Sequence, residues 1–256
     1  MAVIPGVKVR SAVERQRLIM RTVRSGEAVQ VSDLAQRLGV SQMSVRRDLA
    51  HLARAGHLTR VHGGAVLAED EPPFGVIEVE RAAAKDRIGH AAAALVEDEQ
   101  TIMIDIGTTT LAFARHLHGR PLTVITSSLA IVQELLPDPE IELVVLGGIV
   151  RRNYRSMVGM LAEDALRQVN ADIAFLGTSG IRRRDLAVMD TTMAETPIKR
   201  GMITAAQRTV LLADAAKFSM SGTVRVCDVN DLDAIVTDAS EDEPAMAGLT
   251  VEVVRA

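Results

Sequence analysis

The sequence is poor in aromatic residues. Its 256 residues include no tryptophan, one tyrosine and four phenylalanines. Proteins that bind single-stranded nucleic acid stack the bases on aromatic side chains. The scarcity of aromatics therefore argues against a single-stranded partner, whereas duplex DNA, which needs no such platforms, stays open.

Cysteine and long apolar runs are also scarce. Cys227 is the single cysteine of the sequence, which excludes an intrachain disulfide and indicates a reducing compartment. Runs such as "TVLLA" and "ELVVL" fall far short of the roughly 20 residues that a membrane-spanning helix needs. The first ten residues lack the pattern of an export signal. We expect a cytoplasmic protein with no membrane partner.

Positive charge is concentrated near the N-terminus. Residues 1–68 carry 11 Lys and Arg against 4 Asp and Glu, a net charge of +7, whereas residues 69–256 carry 18 against 29, a net charge of −11. The length of the chain indicates two domains. A small basic module joined to a larger acidic one suggests that the basic module faces a polyanion, although a basic surface can also be merely solvated.

Helix signals occur three times in the basic module. They predict helices from Ser11 to Gly26, from Ser32 to Gly39 and from Ser41 to about Ala55. In the third helix Val45, Leu49 and Leu52 recur at the spacing of one buried face. That face directs Arg46 and Arg47 outward.

The start of the third helix therefore presents polar side chains and two arginines, which suit the DNA major groove. The residues predicted to contact DNA here are Ser41, Gln42, Met43, Ser44, Arg46 and Arg47. After Gly56, two short strands about Gly63 and Gly64 predict a wing, on which Arg60 and His62 could contact phosphates. Because a carboxylate is unfavourable beside DNA, we expect Asp48 to orient a neighbouring arginine or to bond backbone.

The segment "VSDLAQRLGVSQMSVRRDLAHLARAGHLTRVHGGA" resembles the winged helix-turn-helix of DeoR-type transcriptional regulators. The resemblance implies that residues 41–47 read duplex DNA and that the wing contacts the DNA backbone. Recognition helices that dock on half-sites about one helical turn apart need at least a dimer. We therefore expect a homodimer or a homotetramer.

The rest of the chain predicts a sheet domain. The acidic segment "AEDEPPFGVIEVER" with its two prolines is typical of a linker. A helix is expected from about Arg81 to Val96, and the apolar runs that follow predict strands at 101–105, 122–126, 141–146, 172–177, 209–213, 234–238 and 250–254. Such runs, separated by helices, indicate a mainly parallel sheet covered on both faces.

The predicted fold class is thus α/β, with a winged helix-turn-helix domain at 1–68, a linker at 69–80 and a Rossmann-like parallel-sheet sensor domain at 81–256. In such sheets ligands collect beyond the carboxyl ends of the strands. There Gly107 permits a tight turn after Asp105, and Thr108, Thr109 and Thr110 open a helix, an arrangement that suits a phosphate. The same edge is expected to carry Ser127, Ser128, Gly147, Gly148, Asp214 and Lys217. A purely structural turn and a surface lysine remain alternatives.

This second region resembles the DeoR-type sensor domain, which is similar in fold to ribose-5-phosphate isomerase. The motifs that carry the resemblance are "DIGTTT", "VITSSLAI", "LGGIVRR", "SMVG", "ADIAFLGTSGI", "ETPIKRGM", "ADAAKF" and "IVTD". It implies that a phosphorylated effector is held by Asp105, Gly107, Thr108, Thr109, Thr110, Gly147 and Lys217. It also implies that Asp190 and Glu195 lie near the sugar end. Ser127 stands where the family usually has asparagine.

The function predicted is a DNA-binding transcriptional repressor of sugar-metabolism genes that a phosphorylated sugar releases from its operator. An activator built from the same parts is an alternative. Another is an enzyme similar to a sugar-phosphate isomerase, in which Asp105, Asp190 or Glu195 would be the base, but the sequence lacks a clear acid–base pair. We expect no catalytic residues and no cofactor. We also expect no metal site, because His116 and His118 lack a third ligand nearby.

One further group of basic residues follows the glycine pair of the third strand. Arg151, Arg152 and Arg155 could touch a second phosphate oxygen, but we expect them to face a subunit interface or solvent.

Overall fold

A computed structural model describes residues 12–24, 29–54, 58–61, 64–67, 74–220 and 222–256. The chain separates into two compact units, Met1–Val76 and Ile77–Ala256. Each unit has its own hydrophobic core. They are described in turn.

The first unit contains the predicted helices and wing. Its helices are Ala12–Arg24 (α1), Val31–Leu38 (α2) and Gln42–Arg54 (α3), and its strands are Val29–Gln30 (β1), Leu58–Val61 (β2) and Gly64–Leu67 (β3). The strands form an antiparallel sheet in the order β1-β3-β2. The two wing strands were predicted, whereas the two-residue β1 is too short to show a pattern. Several residues that the predictions named lie outside the described residues: Ser11, Gly26, Ala55, Gly56, His62 and Gly63.

The turn between α2 and α3 is built as the sequence indicates. Gly39 ends α2 in the left-handed region at φ 64°, which glycine adopts without steric cost. The backbone N–H of Ser44 donates to Ser41 Oγ at 3.2 Å, so Ser41 caps α3. Val45, Leu49 and Leu52 are buried with residues of α1 and α2, which confirms the predicted buried face.

Part of the segment predicted as a linker is helical. Phe74–Val79 forms the short helix α4. The two prolines precede this apolar run and do not interrupt it, so a helix can start after them. Phe74 is buried, which anchors the start of the helix.

The second unit is organised around a seven-stranded sheet. Its strands are Thr101–Ile104 (β4), Leu122–Thr126 (β5), Ile141–Val145 (β6), Ala171–Leu176 (β9), Ala206–Leu212 (β12), Ala234–Thr237 (β14) and Glu252–Arg255 (β15). They lie in the order β15-β14-β12-β9-β4-β5-β6, and every neighbouring pair is parallel. All seven correspond to predicted strands, so the predicted parallel sheet is confirmed.

Both faces of this sheet are covered. The helices are Ala82–Ala93 (α5), Thr108–Ala114 (α6), Leu129–Leu135 (α7), Met160–Leu166 (α8) and Thr196–Ala205 (α9). On one face Met103 and Leu211 belong to a core shared with Leu166 of α8 and Met202 of α9. On the other, Phe175 contacts Phe113 of α6, with ring centroids 4.2 Å apart. Successive side chains along a strand point to opposite faces of the sheet, so each strand packs against helices on both sides.

Two smaller sheets flank the large one. Ile149–Arg151 (β7) and Ser156–Val158 (β8) form a hairpin, and Gly180–Arg182 (β10), Ala187–Asp190 (β11) and Val224–Asp228 (β13) form an antiparallel sheet in that order. The sequence did not predict them. Strands of three to five residues carry little periodicity, and the partners of β13 lie far from it along the chain.

One close approach between helices gives a test of this packing. A Cβ at Gly89 of α5 would lie 2.7 Å from the backbone nitrogen of Phe113 and 2.8 Å from backbone atoms of Ala112. Gly89→Ala is expected to lower the free energy of unfolding by about 1–3 kcal/mol, because backbone atoms must shift. Urea denaturation measures this. The control is Gly75→Ala, where the Cβ meets no atom within 4 Å. Equal stability of the two variants would contradict the packing described.

Candidate functional site

The start of α3 presents the predicted DNA-contacting residues. Ser41, Gln42, Met43, Arg46 and Arg47 are exposed, and Ser44 is partly exposed. Met43 keeps 64% of its surface accessible, although methionine is apolar. Arg60 lies in strand β2 of the wing. The six predicted residues of this region are thus exposed or partly exposed at the start of α3, with Ser41 directly before the helix.

Asp48 belongs to the inside of this unit. It is only 3% exposed, and its carboxylate accepts hydrogen bonds from Arg15 Nε at 2.7 Å, Arg15 Nη2 at 3.2 Å and Gln16 Nε2 at 3.3 Å. The bond to Asp48 raises the pKa of the Arg15 guanidinium. The prediction that Asp48 orients an arginine is confirmed. The pair fixes α3 to α1 and so holds the outward face of α3 in place.

A buried ammonium group organises the second unit. Lys199 of α9 is 3% exposed, and its Nζ pairs with Asp105 Oδ2, lies 3.5 Å from Asp190 Oδ2 and donates to the carbonyl of Gly177 at 3.0 Å. Burial alone disfavours the charged amine, but the two carboxylates raise the pKa of Lys199 above its usual value. Lys199 is therefore protonated throughout the physiological range, and it joins two of the predicted effector residues.

Sequence reasoning missed Lys199 itself. The motif "ETPIKRGM" contains it, but a lysine is ordinarily solvated. The buried face of α9 could have identified it, since Ile198 and Met202 are buried beside it.

Glu195, one helical turn before Lys199, is the centre of a second buried contact. Its Oε1 accepts from Arg151 Nη1 at 2.5 Å and from Ser156 Oγ at 2.6 Å. Burial raises the pKa of Glu195, and the bonds from Ser156 and Arg151 oppose that rise. Arg151 was expected at an interface or in solvent. Instead it reaches inward to Glu195 and to Thr192 Oγ1 at 3.2 Å, because the hairpin β7–β8 places it over α9.

Four side-chain polar atoms at this edge of the sheet are buried and lack a hydrogen-bond partner among the described residues. They are Asp105 Oδ1, Ser127 Oγ, Glu195 Oε2 and, at the end of β12, Asp214 Oδ2. The carbonyl oxygen of Ser127 accepts a hydrogen bond from Met157 N at 2.9 Å. Met157 follows Ser156, which contacts Glu195, so Ser127 lies near that contact. Buried polar atoms are ordinarily hydrogen-bonded. Unsatisfied acceptors and a hydroxyl in one neighbourhood suit a ligand that brings hydroxyl groups.

The turn after β4 has the predicted form, with one difference. Gly107 adopts φ 137°, and α6 starts at Thr108, so the amides of Thr108 and Thr109 lack intrahelical acceptors. The Thr110 hydroxyl, however, donates to the carbonyl of Gly107 at 3.0 Å. This hydroxyl therefore stabilises the turn itself. The hydroxyls of Thr108 and Thr109 do not make this bond.

The two glycines after β6 have different surroundings, whereas the prediction treated them together. Gly147 is exposed, and a Cβ there would meet no atom within 4 Å. The close approach is made by Gly148, where φ is 154° and a Cβ would lie 2.6 Å from the carbonyl oxygen of Val158. The pair therefore allows β7 to pack against β8, and Gly148 carries the steric requirement.

Asp214 and Lys217 lie at the carboxyl end of β12. Asp214 is buried and caps the short 3-10 helix Ala215–Ser219, in which Lys217 is partly exposed. Asp214 Oδ1 also lies 3.3 Å from Arg81 Nε.

His116 and His118, the histidines considered as metal ligands, contact carboxylates instead. His116 contacts Asp86 at 2.9 Å, and His118 contacts Asp138 at 3.0 Å and Glu134 at 3.2 Å. Over the described part of the chain, no group of three or more metal-binding side chains comes together. Within the same residues, no helix has the length and apolar character needed to span a bilayer.

A winged helix-turn-helix joined to an α/β domain with a polar site at its strand ends defines a class of two-part DNA-binding regulators. Residues 15–71 match the DeoR-like helix-turn-helix domain, and residues 80–239 match the DeoR C-terminal sensor domain. The chain belongs to the DeoR family of transcriptional regulators.

Individual relatives agree with this assignment. The HTH-type transcriptional regulator GolR of Listeria innocua is 33% identical over 88% of this chain and 90% of its own, and the transcriptional repressor AccR of Agrobacterium fabrum is 31% identical over 90% of each. The L-fucose operon activator of Haemophilus influenzae is 28% identical over 88% of this chain and 92% of its own. Because the family consists of regulators, the isomerase alternative is not retained.

Among solved structures, ribose 5-phosphate isomerase A of Methanocaldococcus jannaschii is similar over 52% of this chain and 53% of its own. The sequence identity is 21% and the TM-score 0.39.

The exposed arginines of α3 give the first test of the site. Arg46→Ala or Arg47→Ala is expected to weaken operator binding by about 1–3 kcal/mol if the residue contacts a base. Fluorescence anisotropy with a DNA fragment selected by the wild-type protein measures this. Arg167→Ala is the matched control, since it removes the same charge from an exposed site in the other unit. Unchanged affinity in both α3 variants would contradict the assignment.

Lys199 gives the second test. Lys199→Met is expected to lower the free energy of unfolding by about 3–5 kcal/mol, because it leaves buried carboxylates without their cation. Adding Asp105→Asn should restore part of that loss, since one buried charge is then removed. Urea denaturation of both variants measures the effect. Wild-type stability in Lys199→Met would show that the buried ion pair is not the organising contact.

Proposed function

We propose that this DeoR-family regulator represses genes of sugar metabolism and that a phosphorylated sugar releases it from its operator. The observation that carries the effector half of the proposal is the group of buried, unpartnered polar atoms at the carboxyl edge of the sheet, formed by Asp105, Ser127 and Glu195. A repressor is preferred by analogy with the relative named as the repressor AccR. The alternative is that the protein activates its genes, by analogy with the relative named as an L-fucose operon activator.

The polar atoms favour a ligand with several hydroxyl groups. Asp105 Oδ1 is a carboxylate oxygen that needs a donor, and Glu195 Oε2 is a carboxyl oxygen that also lacks a donor. Ser127 Oγ can both donate and accept. A sugar supplies donors and acceptors on neighbouring carbons and would satisfy these atoms without any change of the charge network around Lys199.

The same edge favours an anionic group on that sugar. The amides of Thr108 and Thr109 point out of the first turn of α6, and Lys217 adds a cation from the end of β12. Backbone N–H groups, threonine hydroxyls and a lysine together are typical of a site for a phosphate monoester. By this proposal Asp105, Asp190 and Glu195 contact the sugar, and residues 107–110 with Lys217 contact the phosphate.

Regulation requires that effector and DNA oppose one another. If each ligand favours a different arrangement of the paired DNA-binding units, the two sites are coupled by about 1–3 kcal/mol, and DNA weakens effector binding by the same factor. Pairing of the units in a homodimer or homotetramer belongs to the proposal, since two half-sites need two recognition helices.

Thermal unfolding of the full chain with a panel of sugar phosphates, each beside its unphosphorylated parent, tests the effector. A true effector at about 100 times its dissociation constant adds roughly 2.7 kcal/mol to the stability of the folded state. The expected result is that one phosphorylated sugar raises the melting temperature and that its parent does not. The same compound should weaken binding to the selected DNA.

A variant shows whether the response comes from this edge. Ser127→Ala removes a buried hydroxyl that has no partner among the described residues, so the fold should be unharmed while effector affinity falls. Ser240→Ala, at an exposed serine, is the control. If no sugar phosphate in a broad panel stabilises the protein, the effector half of the proposal is wrong and the assignment to DNA binding stands alone.

A further inference from the structure

Lys85 of α5 is a buried lysine that no predicted role accounts for. It is 2% exposed, and its Nζ donates to the carbonyl oxygen of Ile77 at 2.5 Å. An ammonium group has three donors. In the part of the chain that the structure covers, the Ile77 carbonyl oxygen accepts from this ammonium group, and no ion pair joins Lys85 to a carboxylate. A buried charge without an anion beside it is costly.

Lys85 and the groups around it carry an excess of positive charge. Burial lowers the pKa of Lys85 most; among the neighbouring charges Asp214 has the largest effect and raises it, Lys217 and Arg81 lower it, and Glu80 raises it. Together these effects lower the pKa of Lys85 to about 8. Asp214, the buried carboxylate of the group, already accepts from Ala216 N and pairs with Arg81. The cluster therefore holds three cationic side chains, Lys85, Arg81 and Lys217, beside two carboxylates, Asp214 and Glu80.

Lys85 lies at the same edge of the sheet as the proposed phosphate site. Helix α5 begins at this edge, since Arg81 at its N-terminus contacts Asp214 at the end of β12. Helix α6 begins there too, because it directly follows β4. The two helices approach each other closely at Gly89, one turn beyond Lys85. The Gly107–Thr110 turn, Lys217 and Lys85 thus share one end of the domain.

We propose that Lys85 binds the anionic group of the effector as a second cation beside Lys217, and that the group it takes is a phosphate monoester or free phosphate. This inference rests on the proposed function. A dianionic phosphate supplies negative charge to this cluster and accepts the donors that Ile77 leaves unused. Asp214 Oδ2, which is buried and finds no partner within the described residues, can accept a hydroxyl of the same ligand.

Calorimetric titration of the full chain with inorganic phosphate at pH 7 tests the inference. Lys85→Met should weaken phosphate binding at least about tenfold, which corresponds to about 1.4 kcal/mol. Arg87→Gln is the matched control, because it removes a charge from an exposed position on the same helix. The control should change the affinity less than twofold.

The pH dependence separates a direct contact from a structural effect. In the wild-type chain the affinity for phosphate should fall as the pH rises from 7 to 9, because Lys85 loses its proton near pH 8. The growing negative charge of phosphate over this range acts in the opposite direction. In Lys85→Arg that fall should be reduced, since arginine stays charged over this range. Thermal unfolding of both variants shows whether they are folded.

Each remaining outcome overturns the inference. Equal phosphate affinity in the wild-type chain and Lys85→Met, or no phosphate binding by the wild-type chain at millimolar concentrations, would contradict it. If a sugar phosphate binds the wild-type chain and Lys85→Met equally well, the role proposed for Lys85 is wrong but the proposed function stands. If no sugar phosphate binds the wild-type chain, the proposed function fails as well.

Discussion

The second unit depends on one buried positive charge. The ammonium of Lys199 lies among Asp105 at the end of β4, Asp190 at the end of β11 and the carbonyl of Gly177 after β9. Removing one partner of a buried ion pair is strongly destabilising, because the other charge is left uncompensated. Lys199 therefore ties a helix, the central sheet and the small antiparallel sheet to one point, and the polar edge of the domain is arranged around that point.

The first unit uses the same device on a smaller scale. Asp48 is buried against Arg15, so the face of α3 opposite to the arginines is held by an ion pair as well as by Val45 and Leu49. In the first unit the buried pair fixes α3, whose exposed residues are proposed to contact DNA, and in the second it fixes α9, which directly follows the proposed effector residue Glu195. In the first unit the charge used for structure is thus separate from the charge offered to DNA, whereas in the second unit Asp105 and Asp190 pair with Lys199 and are also proposed to contact the effector.

Local patterns explain why so much of the fold could be predicted. Continuous apolar runs identified all seven strands of the parallel sheet, because strands buried on both faces need no polar alternation. Helix spacing and Ser41 identified α3 in the same way. The hairpin β7–β8 and the three-stranded sheet were not predicted, because their pairing follows from distant contacts. The helix at Phe74–Val79 was obscured by the prolines before it.

For the site, the sequence by itself determined which residues stand at the strand ends, since a glycine or a hydroxyl after an apolar run is a local signal. It placed Asp105, the Gly107–Thr110 turn and Ser127 there. Only the tertiary structure decided how these residues are charged and paired. Lys199 lies 94 positions from Asp105, and Arg151 lies 44 from Glu195. No local pattern encodes such pairs, because burial of a long polar side chain depends on which elements the fold packs around it.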